Sequence, residues 1–459
     1  MTGVLIRGCE VVATMDDAGT EIAGGSIRIE DGTIASVGFD GPPPGDAEVI
    51  DGRGLVAVPG LINTHHHLYQ TMTRARAPRS GLFDWLRELY PVWAGLDAEW
   101  VLTAAMVGLA ELALSGCSTS ADHHYVFPRG TGDLLGAEIE AARTIGLRLH
   151  ACRGSMDVGE STGGLPPDHI VEDADDILSA TNEAIGRYHD PRPGAMIRIA
   201  VGPCSPFSAS ERLMRESAEL ARTAGVRLHT HIAETVDEED YCRKRFGRRP
   251  VEYLEDLGFL GEDVWLAHCI HVDSSDVRRF AGTGTGVAWC PTSNLRLGSG
   301  IAPARDLIDA GVSLGLGVDG SASNDGGDLL AEARQGMLVT RGANGPQSMT
   351  AREALRVATR GGAACLGRDD LGSIEAGKRA DVALFAVDGL GHAGAEADPV
   401  AAVVHCAPRG VRHLFVEGQA VVRGGRLVRA DEEDVAAEGH RLGRLAAERD
   451  PSRVRGSVA

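Results

Sequence analysis

Histidines and carboxylates recur in this chain just after short apolar runs. Thr64-His65-His66-His67 follows residues 55–62, and Asp122-His123-His124-Tyr125 follows residues 117–121. His229, His231 and Glu234 follow residues 226–228. His268 and His271 follow residues 264–267, and Asp319 follows residues 312–318. Alternate side chains of an extended strand share a face, so His65 and His67 point one way and His66 the other. Imidazole and carboxylate are the usual donors to Zn²⁺ or Fe²⁺, and two on one strand fix two adjacent coordination directions. His65, His67, His231 and Asp319 together therefore read as metal ligands. His66, His123, His124, His229 and His271 read as structural, because a histidine after a strand is ordinarily a packing or surface residue.

Ligands so far apart in sequence meet only if the strands that carry them converge. Eight apolar runs recur through the middle of the chain, at 55–62, 117–121, 147–151, 197–201, 226–228, 264–267, 286–289 and 312–318. Helix-like stretches such as 99–114, 213–224 and 251–257 lie between them. Strand–helix alternation of this length predicts a parallel sheet with helical crossovers. Eight units of about 40 residues fit a (β/α)8 barrel, whose sites form at the carboxyl ends of the strands. A doubly wound sheet is the competitor, but it wants a Gly-rich phosphate loop after its first strand, where this chain has histidines. Both chain ends are different in character. Short β-rich runs with turn dipeptides, Asp31-Gly32 near the start and Glu417-Gly418 and Gly424-Gly425 near the end, predict one small β-domain built from both termini. The expected division is 1–55, then the barrel over 56–370, then 371–459. A charged, Ala-rich helix is expected over 432–449, with a fraying tail from Pro451.

Composition narrows the partners. Hydrophobic residues are 43% and charged residues 24% of the 459, a globular balance with ample material for a core. The formal charge of −20 repels phosphate backbones and anionic membrane surfaces, and 4% aromatics is poor material for stacking bases. No run of 18 apolar residues occurs, and the first residues lack a leader pattern, so a cytoplasmic protein with no membrane or nucleic-acid partner is expected. Nine scattered cysteines without a CxxC pair predict reduced core residues rather than disulfides or a thiolate metal site.

Taken in combination, the motifs resemble the amidohydrolase superfamily. Pro59-Gly60-Leu61-Ile62-Asn63-Thr64-His65-His66-His67 is similar to its first-strand metal motif, and His231-Ile232-Ala233-Glu234 to its HxxE. Ala267-His268-Cys269 is similar to its sixth-strand histidine, Val318-Asp319-Gly320 to its eighth-strand aspartate, and residues 371–381 to the return into a β-sandwich. The resemblance implies an α/β chain with a (β/α)8 barrel beside that sandwich. It implies one divalent metal, Zn²⁺ or in some members Fe²⁺, on His65, His67, His231 and Asp319, with an acidified water as nucleophile. Asp319 would also accept the water's proton, and His268 would orient the water. Glu234 would carry a proton to a ring nitrogen and then to the leaving group. The fourth run ends in Gly202-Pro203-Cys204-Ser205-Pro206-Phe207 with no lysine, which disfavours a two-metal amide or phosphoester hydrolase. A homodimer or larger homo-oligomer is implied as well.

Within the family, the aromatic deaminase and chlorohydrolase group matches best. Gln70, three residues after His67, stands where guanine-type deaminases place a glutamine on the base, and an amide can both donate and accept there. Cys204 replaces a histidine of adenosine-type members, which argues against S-adenosylhomocysteine or methylthioadenosine. The stretch from Arg153 through Asp168 resembles a long loop of deaminases acting on 8-oxoguanine. The expected reaction is hydrolytic deamination of 8-oxoguanine to urate and ammonia, with isocytosine as a smaller substrate. Trp85 is expected to cover the base, and Arg153 and Cys204 to line the pocket with Gln70. Hydrolysis of an s-triazine, with loss of amine or chloride, is the alternative within the class. A non-enzymatic metal-binding scaffold is the remote alternative. Glu234 and His268 speak against it, because structural zinc is closed by four protein ligands and needs no acid–base partner.

Overall fold

Eight short parallel strands form a ring in chain order: β1 (Leu61–Asn63), β2 (Cys117–His124), β3 (Arg148–Ser155), β4 (Ile197–Pro203), β5 (Arg227–Ile232), β6 (Val264–His268), β7 (Gly286–Trp289) and β8 (Leu314–Leu316). The computed structural model describes residues 3–38, 41, 47–406 and 410–449, and the tail expected to fray from Pro451 lies outside them. Pairing of Leu316 with Asn63 joins β8 to β1 and closes the ring, so the fold is a (β/α)8 barrel and not a doubly wound sheet. The strands are buried on nearly every residue because one face fills the barrel and the other takes helices.

The helix between β4 and β5, Glu211–Ala224, shows how the crossovers are encoded. Ser210 opens it by accepting the Leu213 N–H at 3.1 Å. Leu213, Met214, Ser217, Ala218 and Ala221 recur at three- and four-residue intervals and form the buried stripe. Gly225 ends it at φ 67°, a left-handed cap that costs glycine nothing. Ser210→Ala would cost about 1 kcal/mol by orphaning that N–H.

The first apolar run is not one strand. Leu55–Pro59 pairs antiparallel with Val382–Ala386 and parallel with Val11–Ala13, in a seven-stranded sheet outside the barrel. Only Leu61–Asn63 enters the barrel. Gly60 is the seam, where a Cβ would stand 2.4 Å from Ser118 Oγ. An apolar run with no polar break hides this division, because both halves are buried.

The seven-stranded sheet takes its strands from both chain ends and faces a four-stranded sheet made of Thr33–Val37, Ile27–Glu30, Val4–Arg7 and Glu48–Asp51. Ile6, Ile27, Ile29, Val382, Leu384 and Phe415 pack in one core between them. Glu417-Gly418 is the two-residue turn joining His413–Val416 to Gln419–Arg423, with φ of 54° and 71° as a twisted hairpin requires. Arg148 at the foot of β3 fastens the barrel to this β-layer: its guanidinium grips Asp381 through two bonds of 2.8 and 2.9 Å. The charged C-terminal helix spans Glu432–Glu448. All nine cysteines are free, and no helix among the described residues is long and apolar enough to cross a membrane.

Candidate active site

The carboxyl ends of the strands gather the histidines. His65 and His67 leave β1, His231 lies on β5, His268 ends β6, and Asp319 follows β8. All are buried. Their donor atoms form overlapping triples (His65, His67 and Asp319; His65, His231 and His268), each within 4.8 Å.

Hydrogen bonds settle which nitrogens carry protons. A carbonyl oxygen only accepts, so a ring nitrogen beside one must be N–H. His67 Nδ1–H donates to His123 O at 2.7 Å, and His231 Nδ1–H donates to Cys204 O at 2.7 Å. His229 Nδ1–H donates to Trp265 O at 2.7 Å, so its Nε2 accepts from His65 Nδ1–H at 2.8 Å. All three Nε2 atoms of His65, His67 and His231 are then bare lone pairs. His67 Nε2 and His231 Nε2 face each other at 3.1 Å, and His65 Nε2 is buried without a hydrogen-bond partner. Asp319 Oδ1 lies 3.4 Å from His65 Nε2 and 3.3 Å from His67 Nε2. Lone pairs converging on a carboxylate oxygen repel unless a cation lies between them, and this donor set fits a divalent metal. Burial pulls the pKa of each of the three imidazoles down, and neutral imidazole is the ligand form.

Asp319 is held in turn. Ser293 Oγ donates to its Oδ2 at 2.6 Å, Ser323 Oγ at 3.1 Å, and the Gly320 N–H to its Oδ1 at 2.7 Å. Ala233, His268, Cys269 and Asp319 have φ of 52°, 73°, 49° and 64°. Left-handed backbone at non-glycine residues costs of order 1–3 kcal/mol each and gathers at functional sites. Here it turns the chain sharply at the strand ends. Glu238 braces one such turn, accepting the Ala233 and Glu234 N–H groups at 2.9 and 2.8 Å.

Glu234 Oε2 stands 3.4 Å from His268 Nε2, and Asn294 Oδ1 accepts from His268 Nδ1 at 3.0 Å. Burial pushes the Glu234 carboxyl up to about 7. Burial works against a charge on His268, yet Glu234 and Asp319 outweigh it and raise its pKa. The two side chains face each other across the cavity wall.

A cavity of about 30 Å³ opens beside these groups, lined also by Gln70, Trp85, Tyr125 and Cys204. The space shown is of the size of a water, and the helix Leu82–Trp93 lies over it through Leu82, Trp85, Leu86 and Tyr90. Trp85 lies on that helix, buried, with Nε1–H donating to Ala322 O at 3.2 Å. Gln70 Oε1 is buried without a partner, while its Nε2 is 3.5 Å from the hydroxyls of Tyr69 and Tyr125. Gly320 makes room for that amide: a Cβ there would lie 1.9 Å from Oε1. Arg153 is placed elsewhere. Its guanidinium pairs with Glu172 at 2.7 Å, sits 3.6 Å from the Phe127 ring centre, and lines a different cleft. An ion pair is the other part the sequence leaves open to Arg153, and its partner Glu172 lies on a loop.

Sequence reasoning passed over Ser293, Ser323, Asn294 and Glu238, and it reads His229 as structural, which agrees with its place between Trp265 O and His65 Nδ1. His229 lies two residues before His231, on the same strand face. The serines and Asn294 gave no signal, because they are short polar residues on separate turns.

Comparison with known proteins agrees with this geometry. Residues 56–421 match the model of the Amidohydrolase family. A Pseudomonas aeruginosa protein named 8-oxoguanine deaminase is 48% identical over 404 residues, 87% of this chain and 90% of its own. A hydroxydechloroatrazine ethylaminohydrolase from Pseudomonas sp. (strain ADP) is 39% identical over 463 residues, 95% of this chain and 94% of its own. The crystal structure of an atrazine chlorohydrolase from Arthrobacter aurescens TC1 complexed with zinc matches with a TM-score of 0.92 at 38% identity, over 96% of this chain and 100% of that one. Converging imidazoles at the mouth of a closed barrel and a family match over most of its length lead to one conclusion: the chain belongs to the amidohydrolase family, and it is a hydrolase of carbon–nitrogen bonds.

Proposed function

We propose that this protein is a zinc-dependent deaminase of aminated nitrogen heterocycles, with 8-oxoguanine as substrate and urate and ammonia as products, and isocytosine as a smaller substrate. The observation that carries the reading is the Glu234–His268 pair, set beside three bare imidazole nitrogens and Asp319 at the one cavity they share. His65, His67, His231 and Asp319 would hold the zinc ion, which would supply Lewis acidity and a water acidified to near neutrality. Asp319, its Oδ2 fixed by Ser293 and Ser323, would accept that water's proton. Glu234 passes a proton to the ring nitrogen and then to the amine, using a carboxyl poised near 7. His268 donates toward the reacting oxygen. In balance, the water oxygen forms a C–O bond at the amidine carbon, the C–NH₂ bond breaks, and ammonia leaves with the second proton. The bare Oε1 of Gln70 accepts from the base edge, and Trp85 covers its face.

The relative named 8-oxoguanine deaminase, at 48% identity, supports the purine reading. The triazine-acting relatives support a second: displacement of amine or chloride from an s-triazine by the same residues. The test is ammonia release by zinc-loaded protein from 8-oxoguanine, guanine, isocytosine, adenosine, cytosine and melamine. Preference for 8-oxoguanine and isocytosine is expected. Inactivity on both, with chloride released from a chloro-triazine, would overturn the purine reading in favour of the triazine.

A further inference from the structure

The barrel has a second unusual cluster at the other end of its strands. A cleft of about 770 Å³ opens at their amino ends, lined by His150 of β3, Arg198 of β4 and Arg227 of β5. Strand register places His150 beside Arg198 and Arg227 beside Ala200. Residues two apart on a strand share a face, so all three side chains belong to the same face of the sheet. Arg227 continues the face that carries His229 and His231 further along β5. Trp265 separates the two ends. It is fully buried, its ring is 5.5 Å from His150 and stacks on His229 at 4.3 Å, and the Arg227 guanidinium lies 5.9 Å from it.

Among the described residues none of these three groups has an ion-pair partner, and each has a buried nitrogen without a hydrogen bond. His150 is 3% exposed, and neither ring nitrogen has a hydrogen bond. Arg227 makes no hydrogen bond or ion pair with the described residues, and its Nε is buried. Arg198 Nε is buried and unpartnered too, and its other nitrogens reach only the carbonyls of Gly367 at 3.1 Å and Pro191 at 3.5 Å. The nearby cations Arg222 and Arg368 are spent on Asp263 and Asp370. Glu262 and Asp369 stand exposed at the rim and pair with neither Arg198 nor Arg227. Scarcity of acids is not the reason, since Asp and Glu outnumber Lys and Arg by 65 to 45. Both arginines are half-buried with Nε out of water, and the acids around them, Asp263, Glu262 and Asp369 for Arg227 and Asp370 and Asp190 for Arg198, act only through space; a ligand that brings negative charge into contact would satisfy them.

We propose that this amino-end cleft is a second ligand site and takes a phosphate group, either as the free ion or as a phosphate monoester. Guanidinium forks match pairs of phosphate oxygens, and the free His150 nitrogens offer a donor to a third. Burial and the surrounding arginines keep that imidazole neutral, so the two arginines meet the ligand's charge.

Isothermal titration of the zinc-loaded enzyme with inorganic phosphate at fixed ionic strength tests the site. Saturable binding is expected, weakened by about tenfold or more in Arg227→Met and in Arg198→Gln, with zinc content unchanged. Absence of saturable binding, or equal binding by wild type and both variants, would overturn the proposal, the latter placing the ion on the zinc. Titration with AMP identifies the source: competition with phosphate assigns a monoester, and phosphate binding without competition assigns the free ion. Thermal melting in phosphate-free buffer guards against misfolding. Arg227→Met should melt at or above the wild-type temperature, because it removes an unpaired cation. A lower Tm with unchanged phosphate affinity would make Arg227 a structural brace and end the proposal.

Discussion

The cluster of Asp122, His124 and Glu138 and the cluster of His65, His67, His231 and Asp319 are built from the same donor types, and both are buried. They differ in where their lone pairs and protons go. His124 Nε2–H donates to Val126 O at 2.9 Å, and its Nδ1 accepts from Glu138 at 2.6 Å. Asp122 accepts the Leu68 N–H at 2.6 Å. Burial pushes Glu138 up to about 8 and His124 down to about 4, so the proton between them stays on the carboxyl at pH 7. No imidazole nitrogen is left over. In the other cluster every Nδ1–H is spent on an acceptor, and every Nε2 is left bare. Residue type offers a donor, but hydrogen bonding decides whether the donor is free to bind a metal.

Substitutions that exchange the two roles are the way to break this contrast. The largest effect is expected for His231→Ala, which should lose zinc and fall to background turnover. His124→Ala should melt at a lower temperature yet keep its zinc. Metal analysis of both purified variants checks this, and full zinc in His231→Ala would mean the ligand set is wrong. Next is Glu234→Gln, which should hold zinc while kcat falls about 10²–10⁴-fold. A near-normal rate would remove Glu234 from the chemistry. Gln70→Ala should cost roughly tenfold to a hundredfold in kcat/KM for 8-oxoguanine, since a base edge loses one hydrogen bond in a dry pocket. An unchanged preference across the base panel would make Gln70 structural.

The smallest effect sharpens the contrast from the closed side. Glu138 has a folded pKa of about 8, above its ordinary 4.5. Its stabilising contribution is therefore fully present below about pH 4.5 and is lost as pH rises through about 8. Glu138→Gln mimics the neutral carboxyl, so its Tm should fall less than wild type between pH 5 and pH 8. Parallel curves would show that the carboxyl is already ionised in the fold.

Much of the architecture was legible before the fold was known. The eight apolar runs, the histidines that end them and the β-rich termini are local patterns, and each survives in β1–β8 and in the two outer sheets. The seam at Gly60 was not legible, because the strand pairing that divides the run comes from residues as distant as Val382 and Ser118. Arg153 was read toward the cavity and lies instead against Phe127 and Glu172. The site was legible in its donors and not in its supports. Ser293, Ser323, Asn294 and Glu238 act through hydrogen bonds that exist only when separate turns meet.

By itself the sequence determined the alternation of strand and helix, the identities of the converging donors and the excess of acid over base. These follow from side-chain chemistry and from periodicities of two and 3.6 residues, which act over a few neighbours. Tertiary structure alone decided which lone pairs stay bare, how tightly Trp85 and its helix close over the cavity, and which arginines lack an ion-pair partner in contact. Each of those depends on distances between residues tens or hundreds of positions apart, and only the closed barrel sets such distances.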